Sequence, residues 1–571
     1  MIRYPPRRGR IFIRRPFFPQ PHHVHKISQK STSFLKKCDI IISRMGKVAR
    51  YLNQLTIGNV FDTPDVTEAY ATDRSVLKIK PKLVALPEST DDVRKLTRFC
   101  YQLATKGIKI PITVRGSGLD EMGADLGNGL ILSTEKLNRL LESDHRERLV
   151  RVQAGITLKE LNTALSVNGL TIPVMDHEME TIGGLISNAP VDPISSKYGG
   201  IRRYVERIEV VLPNGDILQS DQLSLRAAEK KAAAKTLEGT IYRKMLDIVK
   251  KNGNVMAELR KNTHAKYGYS NASRMNYGKY FDLMPLFFGA QGTLGVITEV
   301  ILKAVPIEKT PKRMVATFTD FDGTHKFLDE VNKLKPRRLE LYDINIIRAA
   351  EETGKRLSEV TSKMRSGFVV FADFDSHAKS CLRKVHGLSK NLPNSSRVII
   401  ESPATEATLN EFENSLVSFL NCTRSGERPP ILTDFYVPER NLSSFINDVV
   451  VLGNGLGLDL AVYGSYVTSN YHLRPKFDVE DPEFNKKATA FLKAGAFVVK
   501  RQGGSITGGA PEGRVKAMVT NDELTALEKK LYAGIKSTFD RYEIMNPSVK
   551  IGADARFTVR HFRNEATKTM L

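Results

Sequence analysis

Three glycine-rich segments are places where a backbone can close on an anion. The first, Val114-Arg115-Gly116-Ser117-Gly118-Leu119, runs on from the apolar run Ile112–Val114. Glycines let successive N–H groups point into one concavity, a nest for phosphate oxygens. Arg115 adds a fixed positive donor. The second comprises Thr181-Ile182-Gly183-Gly184, then Asn188, then Tyr198-Gly199-Gly200. The third, Gly289-Ala290-Gln291-Gly292-Thr293-Leu294-Gly295-Val296-Ile297-Thr298, spaces three glycines evenly ahead of a β-branched run. Taken singly, each has a plain structural reading: a turn, close backbone packing, or a bulge where a strand begins.

A second set has the chemistry to act on a small molecule. Tyr463, Tyr466, Tyr471, His472 and Arg474 crowd into one stretch, and Glu512 and Arg514 into another. A phenol or imidazole can move a proton, and a guanidinium can grip a carboxylate with two hydrogen bonds. Each also has an ordinary reading as a surface charge or half-buried ring. His177, just ahead of Thr181, can approach whatever the glycines hold, or sit in a solvated loop.

The elements that must position these groups alternate between strand and helix. Ser89 or Thr90 caps a helix predicted through Leu103, and Thr157 with Glu160 forms a capping box opening Thr157–Asn168. Strands are predicted at Ile112–Val114, Leu130–Ser133, Leu149–Val152, Ile208–Leu212 and Gly295–Lys303. Beyond a soft boundary near Pro306, strands Met314–Phe318, Phe368–Phe371 and Val398–Glu401 alternate with helices Lys326–Lys333 and Ala407–Leu420. A helix over Asp522–Phe539 precedes Asn546-Pro547. The pattern is that of an α+β protein.

In order, with about 65 and then about 105 residues between them, the three glycine segments resemble the FAD-binding domain of the vanillyl-alcohol oxidase/p-cresol methylhydroxylase superfamily. Val205 to Gly215 resembles that domain's strand and turn, and Asn546-Pro547 its C-terminal return to the flavin. The resemblance implies a two-subdomain FAD-binding fold followed by an α+β substrate (cap) domain. The expected division is a basic tail (1–44), a helical lead-in (45–80), the FAD-binding domain (81–305), the cap (306–552) and a C-terminal tail (553–571). The cofactor contacts it implies are Arg115, Gly116, Ser117, Gly118, Leu119, Thr181, Ile182, Gly183, Gly184, Asn188, Tyr198, Gly199, Gly292, Thr293, Gly295, Val296, Ile297 and Asn546. Covalent members carry a histidine in the first loop, and bicovalent ones a cysteine before the second glycine pair. The loop ends in Leu119 and residues 172–184 hold no cysteine, so FAD is expected to be non-covalent. Gln291 stands where the third motif usually has glutamate, and Pro190 and Val191 replace small residues.

The C-terminal half resembles that of D-lactate dehydrogenase and glycolate oxidase subunits. Asp434-Phe435-Tyr436-Val437-Pro438 looks like its first strand. Gly464 to Pro475 and Gly503 to Arg514 resemble its two histidine-bearing segments. That family uses two imidazoles and a carboxylate for a divalent metal, and a further histidine as base. The chain keeps His472 but has Ser465, Gly509 and Ala510 at the other positions. The expectation is therefore no metal, with His472, Tyr471 and Arg514 as the catalytic candidates. Arg338, Glu340, Tyr342 and Asp343 resemble the first cap strand. The implied activity is hydride transfer from a small alcohol or hydroxy acid to FAD, with the electron acceptor open. The alternative is a flavin-binding protein that has lost catalysis and serves a binding or structural role.

The net charge of +23 raises nucleic acid as a partner. Residues 1–50 carry +12 of it in an Arg-, Pro- and His-rich stretch, and the remainder is spread among acids. No zinc finger, basic zipper or RNA-binding aromatic motif is present, so no nucleic-acid function is expected. The tail resembles a transit peptide, or precedes a true start at Met45. The protein is expected in the cytoplasm, or in mitochondria if that tail is a targeting segment. Cys38, Cys100, Cys381 and Cys422 form no ligand pair and suit a reducing compartment. No apolar run reaches the length of a membrane span.

Overall fold

The five-stranded sheet at the centre of the first half pairs Leu140–Asp144, Leu149–Gln153, Val296–Lys303, Val205–Val211 and Ile217–Gln219, in that order, all antiparallel. Val296–Lys303 is the β-branched run after the third glycine segment. It is buried along nearly its whole length, as expected of a central strand covered on both faces. Helices Leu158–Ser166, Ile182–Asn188, Leu237–Lys251 and Ala526–Phe539 contribute to the core packed with it.

These details come from a computed structural model. It describes residues 45–563 except 176, 263, 265–266, 309, 353–363, 365, 376, 393–395, 422–427 and 479–480. The basic tail, Cys38 and Cys422 therefore lie outside the described residues. The chain divides into a unit of residues 1–48 and a compact unit of residues 49–571, and the features below belong to the second. Among the described residues no helix is long and apolar enough to cross a membrane. Cys100 and Cys381 are buried free thiols.

A smaller sheet orders Asn59–Phe61, Leu83–Leu86, Leu130–Ser133 and Ile112–Arg115, with the last three strands parallel. Helix Thr90–Ala104 makes the crossover and is capped by Ser89, whose hydroxyl accepts from Asp92 N at 3.1 Å. Ile112–Arg115 is the edge strand. The C-terminal segment covers it: Ile112 N donates to Ile544 O at 2.7 Å, and Asn546 N to Ile112 O at 2.8 Å. The expected capping box is present at Thr157 and Glu160.

The second half is built on a seven-stranded antiparallel sheet. Its order is Arg397–Ile400, Lys312–Phe318, Phe368–Phe374, Arg338–Asp343, Leu460–Ser465, Asn470–Pro475 and Leu432–Tyr436. Side chains alternate between faces along a strand. One face carries Leu339, Leu341, Val462, Tyr471 and Leu473 into a core with helices Phe321–Asn332, Leu442–Leu456 and Phe484–Arg501. The other face sets Glu340 opposite Ser465, Tyr342 opposite Tyr463, and Tyr463 opposite His472. That face builds the site.

Candidate active site

The phosphate-type loop leaves the edge strand at Arg115 and folds back on the second glycine segment. A Cβ on Gly116 would collide with Thr181 Oγ1, and Gly118, at φ +73°, lies under the Arg115 guanidinium. Glycine is required at both places, once for room and once for backbone conformation. Thr181 Oγ1 caps the short helix Ile182–Asn188 by accepting from Gly184 N at 3.2 Å. Among the described residues, the N–H groups of 116 to 119 make no hydrogen bond. Successive unpaired N–H groups in a glycine loop beside Arg115 make the kind of nest that takes an anionic ligand such as a pyrophosphate. Arg115 is held by Thr72 O at 2.9 Å, and its buried Nη1 has no partner.

A cleft runs from this loop, lined by Gly116, Ser117, Gly118, Leu119, Gly183, Gly184, Asn188, Gly292, Gly295 and Ile297. All were expected. Arg115 and Thr181 line the hollow on the other side of the loop. Ile182, Tyr198, Gly199, Thr293, Val296 and Asn546 line neither. Tyr198 instead sets its hydroxyl between the carboxylates of Glu308 and Asp375, donating to one at a time. Asn546 is a buried tie behind the cleft, donating to Ala124 O and Gln291 O at 2.7 Å each and accepting from Arg514 Nη2 at 3.2 Å. The cleft also uses Asp120, Asp125 and Glu180, which the motifs did not mark, and Gln291, which stands in the third motif in place of glutamate. Asp120 is the residue after the loop, one place beyond where the glycine pattern ends.

A cavity of about 150 Å³ adjoins this cleft, under the seven-stranded sheet. Leu119, Asp120, Glu180 and Asn188 line both spaces. From the sheet come Arg338, Glu340, Tyr342, Tyr463, Ser465, Asn470 and His472. His177, Arg74, Glu121, Asp192 and Asp434 complete its charged lining. Tyr471 and Arg514 do not reach it. Tyr471 points to the opposite face and its buried hydroxyl has no partner. Arg514 is spent on Leu126 O, Pro547 O and Asn546. Burial pushes its guanidinium down to about 10.

Electrostatics here is a balance of buried charges. Arg338 bonds Glu340 and, at 2.7 Å, Glu413, and it lies over the Phe371 ring. Arg474 pairs with Glu121 at 2.8 Å and Tyr463 Oη at 3.1 Å. Lys516 donates to Thr433 O and Ala510 O at 3.1 and 3.0 Å. Burial pushes its ammonium down to about 8, against the pull of Asp434 and Glu512. Burial works to raise Asp434, but the pull of His472 when it is charged, the pull of Lys516 and the hydrogen bond from Asn470 hold the carboxyl below its usual value. Burial lowers His472, with Asp434 opposing. Asp120 is pushed up to about 7, first by burial and then by the charge of Asp125. Glu121, Asp434 and His472 bring ligand-type atoms within 4.8 Å of one another.

Residues 81–221 match the FAD binding domain, and residues 308–549 the FAD linked oxidases, C-terminal domain. The chain belongs to the FAD-linked oxidases. Among this family's curated proteins, a D-2-hydroxyglutarate dehydrogenase of Pseudomonas putida is 26% identical over 84% of the chain. The chain spans about half the length of that relative, 49%. The glycolate oxidase subunit GlcD of Bacillus subtilis is 24% identical, over 83% of the chain and 90% of its own length. A D-lactate dehydrogenase of Anaerostipes hadrus is 22% identical, over 85% and 92%. Among solved structures, 4-ethylphenol oxidase from Gulosibacter chungangensis superposes with a TM-score of 0.62 at 15% identity, covering 87% of the chain and 95% of its own. At that identity the likeness shows the FAD-linked oxidase fold alone.

Proposed function

We propose that this FAD-linked oxidase family member is a dehydrogenase or oxidase that takes hydride from a small alcohol or 2-hydroxy acid, with FAD held non-covalently. The observation that carries this is the continuity of the two spaces. A small molecule under the cap sheet meets, across Leu119, Asp120, Glu180 and Asn188, whatever ring system fills the glycine-lined cleft. FAD supplies a two-electron hydride acceptor there. The names of the relatives, which act on glycolate, D-lactate and D-2-hydroxyglutarate, support the substrate class.

The chain's own residues bind and orient. Arg74 is the cavity-wall guanidinium assigned to a substrate carboxylate, whereas Arg338 is already paired with Glu340 and Glu413. Ser465 Oγ and Asn470 Oδ1 line the cavity, buried and without partners, and so suit a substrate hydroxyl. A divalent metal does not fit. Glu121 and Asp434 already face Arg474 and Lys516. A dication among Glu121, Asp434 and His472 would compete with Arg474 and Lys516, the buried cations that already offset those two carboxylates. No step is assigned to a metal.

The test is anaerobic addition of glycolate, D-lactate and D-2-hydroxyglutarate to the purified protein. Bleaching of a flavin band near ~450 nm, with the flavin released to the supernatant by acid, is the expected result. A flavin that binds but is reduced by none of the three would favour the non-catalytic reading.

A further inference from the structure

We infer that His177, oriented by Glu180, is the general base that takes the substrate's hydroxyl proton, while His472 serves as a hydrogen-bond donor. This rests on the hydride-transfer reading above and names the proton acceptor for it.

The two histidines are held in opposite tautomers. Asp434 N donates to His472 Nδ1 at 3.3 Å. A backbone N–H is only a donor, so Nδ1 carries a lone pair and the ring proton sits on Nε2. Such a ring has already spent its basic nitrogen. Burial, which holds His472 below its usual value, and its flat stacking at 4.4 Å on Tyr463, keep it neutral and in place. It can donate from Nε2 to a substrate oxygen and cannot accept a proton there.

His177 is arranged the other way round. Its Nδ1 lies 2.8 Å from Glu180 Oε1. A carboxylate accepts, so Nδ1 bears the proton and Nε2 is the basic nitrogen. This is the arrangement of a base fixed by a carboxylate. The dyad is rigidly mounted. Glu180 N donates to His177 O at 3.0 Å, Lys159 N to Glu178 O at 2.8 Å, and Leu158 N to Glu180 O at 2.9 Å. Its position also suits the task. His177 lines the substrate cavity, and Glu180 lines both cavity and flavin cleft. The position where the family resemblance places a base holds Ala510. The acids facing the dyad are Glu180 itself, Asp434 and Asp120, and they favour an imidazolium once the proton arrives.

The O–H bond breaks and its proton goes to His177 Nε2. The carbon–oxygen double bond forms, and the C–H hydride leaves with its electron pair to FAD, which is reduced by two electrons.

The test uses the FAD-loaded full chain. Flavin reduction by whichever of the three hydroxy acids reacts fastest is followed anaerobically against pH. Oxalate binding, read from the flavin absorption band, serves as a non-reacting control. His177→Asn is expected to slow reduction by ~10²–10⁴-fold near neutrality, with the loss shrinking as pH rises and oxalate affinity holding within about 3-fold. Glu180→Gln is expected to lose less and to move the pH limb, as a positioning residue would. A His177→Asn variant that reduces at the wild-type rate overturns the inference. A readout independent of turnover is the ¹⁵N-histidine NMR spectrum of the loaded protein. It should show the Nδ1–H form at His177 and the Nε2–H form at His472, and an Nε2–H signal at His177 overturns the inference whatever the substrate. If no hydroxy acid reduces the wild-type flavin, the substrate reading fails separately and the spectrum alone decides for or against His177.

Discussion

Replacing Asp120 with Asn should stabilise the flavin-free protein, and by an amount that grows with pH. The carboxyl is pushed from 3.8 up to about 7 by burial and by Asp125. A group whose folded pKa is raised stabilises fully below the unfolded value, and that stability is lost as pH rises through the folded value. At about 1.36 kcal/mol per pH unit, a shift of about three units costs at most ~4 kcal/mol above pH 7. About half of this accrues between about pH 5.5 and 8.5, so the wild type should fall relative to Asp120→Asn by ~2 kcal/mol over that range. The amide is a fair probe because Oδ1 can still accept from Met122 N at 2.8 Å and Ala124 N at 2.9 Å. Water in the cleft trims the figure. The assay is guanidinium unfolding of both apoproteins at several pH values. A difference that is flat with pH, or in which the variant loses ground as pH rises, would refute the reasoning.

Four further outcomes follow. Gly116→Val, which drives a side chain into Thr181 Oγ1, should purify with little or no FAD by absorption while keeping its far-ultraviolet circular dichroism. Elemental analysis should find no stoichiometric divalent metal, and chelation should leave flavin reduction unchanged; a tightly held ion would sink the charge-balance argument. The cavity wall carries more carboxylates than guanidiniums, so glycolate or D-lactate should reduce the flavin at lower concentration than the dicarboxylate D-2-hydroxyglutarate. Tyr471→Phe removes a buried hydroxyl without a partner, so it should raise stability by up to ~1 kcal/mol and leave reduction rates alone; a tenfold slower reduction would return Tyr471 to the site.

The flavin half was legible because its function is carried by backbone. Gly116, Gly118, Gly183, Gly292 and Gly295 are needed where they stand for room or for φ, and such needs show as residue type and local spacing. Cap Ser89 and the Thr157–Glu160 box marked their helices for the same reason: both ends of the interaction lie within one turn. The identities at 465, 509 and 510 showed in advance that the usual histidine and glutamate set was missing.

What replaced that set was decided only in three dimensions. Tyr471 and His472 are adjacent in sequence, and the two-residue period of the strand sends one into the core and the other into the cavity. Asp434 and His472 stand 38 positions apart and meet because their strands pair. Glu121 and Arg474 stand 353 apart. The proton assignment that distinguishes His177 from His472 depends on one carboxylate and one backbone N–H. Local spacing can encode a turn, a cap or a nest; long-range pairing and burial set which side chains share a cavity, which charges cancel and which nitrogen is left to take a proton.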